Sequence, residues 1–387
     1  MPALALEWQL GVEVDRFTGS EQDAWTSGGT SKFANNNDST SLQGYFDVSY
    51  ALTDTLKWEV VGEATSVGEQ DLLGLTEAYL HWRPVPRSRI RLTSKVGAFY
   101  PPISLENTQP GWRSPFTRNF SAINSWVAEE LRTFGAQVAV ELRPWADRID
   151  RLELGGAVFK GNDPTGAILA WRGWSMHAQQ SRFQDGLPLQ TLPQFAEGRF
   201  FAAQASESKP FNEVDGRWGG YGFVQWRSPG RLSLQGLFYD NRADPAALQD
   251  GQYAWATQFI AVGMKTQAGP FDLIAQWMDG ETVMGSRWRS AATFMSYFFL
   301  LSKDIERHRF ALRYDWFDVK DFDDTPQDNN DESGRGVTLS YRWQFSDQWQ
   351  LLAEWMQNKT RRPGWMYAGL ATSRSEHTWS IGLSWQL

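Results

Sequence analysis

The last nine residues put Trp379, Ile381, Leu383, Trp385 and Leu387 on one face and Ser380, Gly382, Ser384 and Gln386 on the other. A period of two marks a strand with one apolar and one polar side. The same pattern recurs about sixteen times, and the chain stops on it. Few architectures need so many half-apolar strands. One of them is a closed barrel with lipid outside and water inside.

The expected strands lie at about 6–15, 42–52, 56–63, 73–83, 89–99, 131–143, 151–160, 219–227, 231–240, 254–266, 271–277, 295–301, 310–316, 337–345, 348–356 and 379–387. Their connections alternate in length. Short turns are expected near 53–55, 84–88, 144–150, 228–230, 268–270, 303–306 and 346–347. Longer loops are expected near 17–40, 100–128, 161–217, 241–252, 279–289, 318–334 and 358–375, and only the connection at 67–71 on that side is brief. A sandwich has no reason to sort its loops by parity, and no blade period suggests a propeller. An outer-membrane barrel does sort them: short periplasmic turns, long external loops and both termini at the periplasmic rim. The expected fold is therefore a single all-β domain over 1–387, a 16-stranded antiparallel transmembrane β-barrel.

No stretch of 18 apolar residues exists that could form a membrane-spanning helix. The chain holds 21 Trp, and aromatic residues make up 14%. Trp8, Tyr341, Trp343, Trp379 and Trp385 fall at strand ends, where amphipathic rings suit the headgroup layer. A net charge of -8 argues against a nucleic-acid surface. Cysteine is absent, which removes thiol catalysis, thiolate metal sites and disulfides. The start, Met1-Pro2-Ala3-Leu4-Ala5, contains an A-x-A of the kind that precedes signal cleavage, so a mature chain beginning at a signal stub is expected.

The stretch VGAFYPPISLEN at 96–107, followed by SAINSWVAEELRTFGA at 121–136, resembles the strand–loop–strand region of Gram-negative porins. It is most similar to the phosphate-selective porin O/P-like group and to uncharacterised proteobacterial porin-like proteins. LAWRGWSMH at 169–177 is similar to the latter set. The resemblance implies a sixteen-stranded channel of the bacterial outer membrane. Phosphate channels of that group carry a dense arginine ladder and lysine clusters. This chain is net acidic, and Arg91, Lys95 and Arg113 would be a reduced version.

In sixteen-stranded diffusion channels the third external loop folds inward and narrows the pore. Here that loop, 100–128, is stiffened by Pro101, Pro102, Pro110 and Pro115. The expected constriction combines Arg91, Lys95, Glu106, Arg113 and Arg118. Further charges expected on the lumen face are Arg309, Arg313, Arg342, Glu59 and Glu63, together with Glu7, Glu13 and Glu141. A narrow, low-dielectric passage lined by fixed charges selects ions; the plainer reading is that these groups pair with one another. The loop at 161–217 is expected to hold a short helix near 166–180, with Leu169, Trp171 and Trp174 as its apolar side, that plugs or caps the pore or meets a neighbouring subunit. The loop at 318–334 clusters Asp318, Asp321, Asp323, Asp324, Asp328, Asp331 and Glu332. Its spacing is not that of an EF-hand, and a solvated acidic loop is the simpler reading.

The four histidines, His81, His177, His308 and His377, sit in no hydrolase motif. No catalytic residue, metal or cofactor is expected. The function expected is passive diffusion of small hydrophilic or ionic solutes, with lipid bilayer and lipopolysaccharide as surroundings and a homotrimer or a monomer as the assembly. Two alternatives compete: an outer-membrane barrel hydrolase, and a soluble Trp-rich carbohydrate-binding β-protein.

Overall fold

The computed structural model describes residues 6–19, 21–68, 72–86, 88–143, 150–286 and 289–387. The expected signal stub, nearly all of the turn at 144–150 and part of the connection at 67–71 lie outside the described residues.

Sixteen strands close into one antiparallel barrel. They are β1 (Leu6–Thr18), β2 (Ser39–Ala51), β3 (Leu56–Thr65), β4 (Leu73–Trp82), β5 (Ile90–Phe99), β6 (Thr133–Leu142), β7 (Arg151–Lys160) and β8 (Gly219–Ser228). The second half comprises β9 (Leu232–Asp240), β10 (Trp255–Ala268), β11 (Phe271–Met284), β12 (Ser290–Ile305), β13 (His308–Asp321), β14 (Glu332–Gln344), β15 (Trp349–Arg361) and β16 (Ser373–Gln386). Each strand pairs with its sequence neighbours. The last pairs with the first, from Gly11 opposite Gln386 to Thr18 opposite Trp379. Closure leaves no edge strand, so the ladder has no unpaired row of backbone groups to present to lipid.

The outer surface follows the alternation read from sequence. On β16, Trp379 is 55% exposed and its neighbour Ser380 is 8% exposed. Leu234, Phe238, Ile260, Val262, Phe310 and Leu312 likewise stand outward and exposed. Of the expected interface anchors, Trp8, Trp343 and Trp379 are exposed, while Tyr341 and Trp385 are half-buried.

The inner surface departs from expectation. A wide aqueous lumen was expected along every polar strand face. Instead the inward positions of β8–β13 and β15 carry a buried apolar layer that includes Phe223, Tyr239, Phe259, Met278, Phe294, Phe298, Phe317 and Met356. This layer packs on Ile123, Trp126 and Val127 of helix α1 (Ala122–Glu130), which lies inside the barrel. The lumen is thus divided. One half is a dry core, and the other, along β2–β7, keeps polar side chains such as Asp47, Glu59, Glu77, Lys95 and Glu153 partly exposed. The split accounts for the apolar run Met295–Leu301, where Phe299 faces outward and Phe298 and Leu300 face the core.

Several loops are shorter than their polar sequence suggests. The strands flanking 279–289, 318–334 and 358–375 continue upward, leaving connections of 285–289, 322–331 and 362–372. The ladder continues past the apolar belt, where both faces of a strand are polar and alternation disappears. Asp318 and Asp321 accordingly lie in β13, and Glu332 opens β14.

Candidate functional site

The third external loop, L3 (100–132), crosses the lumen. It leaves β5 through Tyr100, whose ring stacks on Trp112 at 4.3 Å. Gly111, with φ 65°, makes the tight bend there, and a Cβ at this position would strike the Tyr45 ring. Helix α1 follows, capped by Ser121, whose Oγ accepts the Asn124 N–H. The sequence SAIN supplies that cap directly.

Glu106 stands at the centre of the loop with no exposed surface. Its carboxylate accepts from Thr117 Oγ1 (3.2 Å), Ser121 N (3.0 Å), Asn124 Nδ2 (2.8 Å) and Arg313 Nη1 (2.7 Å). Arg313 comes from β13. It also donates to Asp315 Oδ2 (2.8 Å), Asn119 O (2.7 Å) and Phe120 O (2.8 Å), while Asp315 Oδ1 accepts the Ala122 N–H (3.0 Å). Burial of so many charges stabilises only when the charged groups are matched; here every guanidinium nitrogen of Arg313 and both carboxylate oxygens of Glu106 and of Asp315 have a partner.

The other arginines act in the same way. Arg118 pairs with Glu13 and with Asp15 (2.8 Å), and donates to Gln43 (2.8 Å). Its backbone N–H and that of Asn119 both reach the Glu354 carboxylate. Arg113 bonds Glu63 (3.0 Å) and Gln43 (3.0 Å). Arg342 donates to Ser114 O and Thr117 O, and Arg309 to Pro115 O and Asp304. Arg113, Arg118, Arg309, Arg342 and Glu13 surround a cavity of ≈ 200 Å³ between L3 and the short-turn end of the barrel.

Arg91 and Lys95 stand apart from this group. Arg91 lies 3.9 Å from Glu141, and Lys95 sits over the Tyr79 ring at 4.7 Å. The residues expected to form one constriction therefore occupy two places. Glu106, Arg113 and Arg118 join L3 to the walls of β1–β3, β13 and β15. Arg91, beside Glu141, and Lys95, near Glu59, line the polar half of the lumen on β5.

The fourth external loop, L4 (161–218), enters the barrel. Every residue from 161 to 182 is buried. Its helix, α2 (Ala167–Trp171), is shorter than expected. Trp171 meets Trp255 edge-on at 4.9 Å, and Trp174 meets Trp126 at 6.1 Å. Beyond Gly173, whose φ of 81° turns the chain inward, the backbone is extended and hydrogen-bonded to three other segments. Phe120 N donates to His177 O (3.0 Å), Ser181 N to Ala128 O (3.0 Å), and Phe183 N to Leu75 O (3.0 Å). Gln180 accepts from Tyr100 Oη (2.8 Å) and donates to Gly111 O (2.8 Å).

Buried charges pin this segment. Arg172 holds Glu129 of α1 through two bonds of 2.8 and 2.5 Å, and His177 Nε2 lies 3.2 Å from the same carboxylate. Lys32 of the first loop pairs with Glu332, which also accepts the Trp174 N–H (2.9 Å). Glu130 has no cation partner among the described residues; it accepts from Trp126 Nε1, Gly166 N and Ile168 N. Burial pushes its carboxyl up to about 7, and burial likewise lifts Asp163 of L4 to about 6.

His177 belongs to L4 and lies buried within the plug. Its Nδ1 accepts the Gln179 N–H, and the nearby Ser125 hydroxyl bonds the His177 backbone rather than the ring. This is not the geometry of a nucleophile and its base. The sequence signal for this plug was the long apolar and amide-rich stretch AILAWRGWSMHAQQ, unusual in a loop that only faces water.

No protein-family model matches the chain, and no curated relative does. Solved structures match over its whole length. An anion-selective porin from Comamonas acidovorans is 12% identical, with a TM-score of 0.55 over 99% of both chains. OmpF of Salmonella typhi, solved with daunomycin, is 11% identical, with a TM-score of 0.55 over 99% of this chain and 98% of that one. A loop-deletion mutant of the outer-membrane protein OmpT of Vibrio cholerae is 9% identical, with a TM-score of 0.56 over all of both chains. These likenesses concern the fold: the chain has the sixteen-stranded barrel architecture of bacterial outer-membrane porins.

Proposed function

We propose that the chain is a porin-type channel of the bacterial outer membrane that passes small hydrophilic or ionic solutes down their gradient. The observation that carries this reading is a closed sixteen-stranded barrel, apolar outside, whose inner wall keeps a polar strip from β2 to β7. No bond is broken in such transport. The solute path runs along that strip, past Lys95, Glu59, Glu77 and Arg91, because the opposite wall is packed with aromatic side chains. Phosphate selectivity gains no support from the arginines at L3, since Arg113, Arg118 and Arg313 are committed to carboxylates. L4 covers the outer end of the path, so conduction requires residues 173–185 to move aside.

The test is single-channel recording in a planar bilayer under a salt gradient. Stepwise conductance with long closed intervals is expected. Folded, detergent-dependent protein that never conducts, even after residues 174–184 are deleted, would overturn the channel reading.

A further inference from the structure

Residues 174–183 of L4 are held in the lumen as a bound peptide would be. In an extended chain the N–H and C=O of one residue point to the same edge, and those of the next residue point to the other. The odd residues meet L3 and β4. His177 N donates to Ser125 Oγ (3.0 Å), and His177 O accepts from Phe120 N (3.0 Å). Ser181 N donates to Ala128 O (3.0 Å), and Ser181 O accepts from Arg132 Nη2 (2.8 Å). Phe183 N donates to Leu75 O (3.0 Å). The even Met176 N turns the other way and donates to Lys32 O of the first loop (3.1 Å). A groove between the first loop and α1 therefore reads main chain on both edges.

The same groove has a place for each side chain. Trp174 enters a hollow made by Trp126 and Phe294, with ring centroids 6.1 Å from each. Met176, two residues on, fills the room left by Gly336 of β14, where a Cβ would lie 2.5 Å from Met176 Cε. His177 faces the Trp25 ring at 4.9 Å. The amides of Gln179 and Gln180 meet Thr65 Oγ1 (3.3 Å) and Tyr100 Oη (2.8 Å). Main-chain bonds along an extended segment, with pockets for alternate side chains, are the means by which proteins bind a peptide as an added strand. Arg132 adds a charge that L4 does not use. It is fully buried, its guanidinium bonds only the carbonyl oxygens of Ala128, Leu131 and Ser181, and it forms no ion pair among the described residues.

We propose that this groove binds an extended oligopeptide in exchange for residues 174–183, so that L4 is a built-in stand-in for a peptide solute. Its main chain bonds Ser125, Phe120 and Ala128, an aromatic side chain enters the hollow of Trp126 and Phe294, and its terminal carboxylate meets Arg132. The empty groove explains why the occupant is a peptide. When L4 lifts, Phe120 N, Ala128 O and Leu75 O lose their partners, and the Trp126 and Phe294 rings open to water. A ligand shifts such an equilibrium only through contacts that differ between the two states. A small ion replaces neither the main-chain bonds nor the ring contacts, whereas a second extended chain replaces both. The terminal carboxylate gives that chain a charge-assisted bond that the Ser181 carbonyl cannot match. The inference rests on the channel reading above, in which L4 lifts, and names the solute that lifts it.

The experiment is hydrogen exchange of the full-length, detergent-folded protein with a synthetic copy of residues 174–181 that ends in a free carboxylate. A tethered loop competes at an effective concentration in the millimolar range, so the copy is added at that level. It should speed exchange of the Ser181 and Phe183 amides at least about tenfold, because exchange reports the fraction of L4 that is undocked. The same copy with an amidated end should act more weakly, and a scrambled copy should not act. Replacing residues 174–184 by a Gly/Ser linker of equal length frees the groove, and direct binding of the copy should then tighten at least about tenfold. If the linker variant fails to show heat-modifiable migration in SDS, exchange in the wild-type chain alone decides. Equal exchange with the matching and scrambled copies overturns the groove. Both readouts are independent of conductance: a barrel that binds the copy and never conducts would overturn the channel reading and leave the groove standing.

Discussion

Arg313 Nη1 lies 2.7 Å from Glu106 Oε1, and neither side chain has any exposed surface. The two are separated by 207 residues, one on β13 and the other at the centre of L3. Their bond makes the loop a part of the wall. An isolated buried pair of this kind gains little, because desolvation cancels the attraction. The gain here comes from the surrounding Thr117, Ser121, Asn124 and Asp315, which leave few bonds of the pair unmade.

Arg313→Ala should therefore leave Glu106 and Asp315 as uncompensated buried carboxylates. A loss of about 3–5 kcal/mol is expected. Urea unfolding of the detergent-folded barrel would report it as a lower midpoint with an unchanged slope. An unchanged midpoint would mean that L3 is held by its aromatic packing alone.

A covalent tie between L4 and α1 should lock the outer mouth. The chain has no native cysteine, so Ala128→Cys with Ser181→Cys places a single new pair across a backbone bond of 3.0 Å. Oxidised protein should be silent in a bilayer, and reductant should restore conductance. Equal conductance in both redox states would show that the path does not run beneath L4.

The docking of L4 should weaken as pH rises from about 4.5 to about 7. Burial raises Glu130 from its ordinary 4.5 to about 7, so the docked state holds a proton that the solvated group releases. Stability then falls with pH across that window and is flat above it, opposite in sign to a salt-bridged carboxylate. The span corresponds to at most on the order of 3 kcal/mol. Asp163, lifted to about 6, acts in the same direction. Hydrogen exchange of the Gly166 and Ile168 amides at several pH values would measure the effect, and Glu130→Gln should flatten the Glu130 contribution.

Removing both cations of the polar strip should change selectivity without disturbing L3. Arg91→Ala with Lys95→Ala should move the reversal potential toward cations by removing positive charge from the wall. Their partners, Glu141 and the Tyr79 ring, lie away from the L3 anchors. A reversal potential unchanged by the pair would exclude them from the filter.

The barrel was legible in the sequence because its outward face obeys a strict period of two. Most strands fell where Leu, Val, Trp and Phe alternate with polar residues, and the one at Met295–Leu301 was marked by an apolar run instead. The upper strand ends were not legible, since Ser333, Lys359 and Ser375 look like loop once the lipid face turns polar. Neither was the dry half of the lumen. Phe259, Met278, Phe294 and Phe317 occupy inward positions that a water-filled pore would leave polar, and their presence became meaningful only with Trp126 and Trp174 beside them. The expected constriction joined Arg91 and Lys95 to Glu106, Arg113 and Arg118, whereas the structure sets the two β5 cations apart from the L3 charges. Whether Arg118 reaches Asp15 or lines a passage depends on a contact spanning 103 residues.

The apolar layer on both faces of β9–β13 has a consequence during biogenesis. A strand with one oily side can hide it by lying on a surface, but a strand with two cannot be satisfied until both the bilayer and the inner loops have arrived. While this stretch travels through water it is the segment most prone to pair with strangers. Its delivery should therefore depend most strongly on an escorting chaperone.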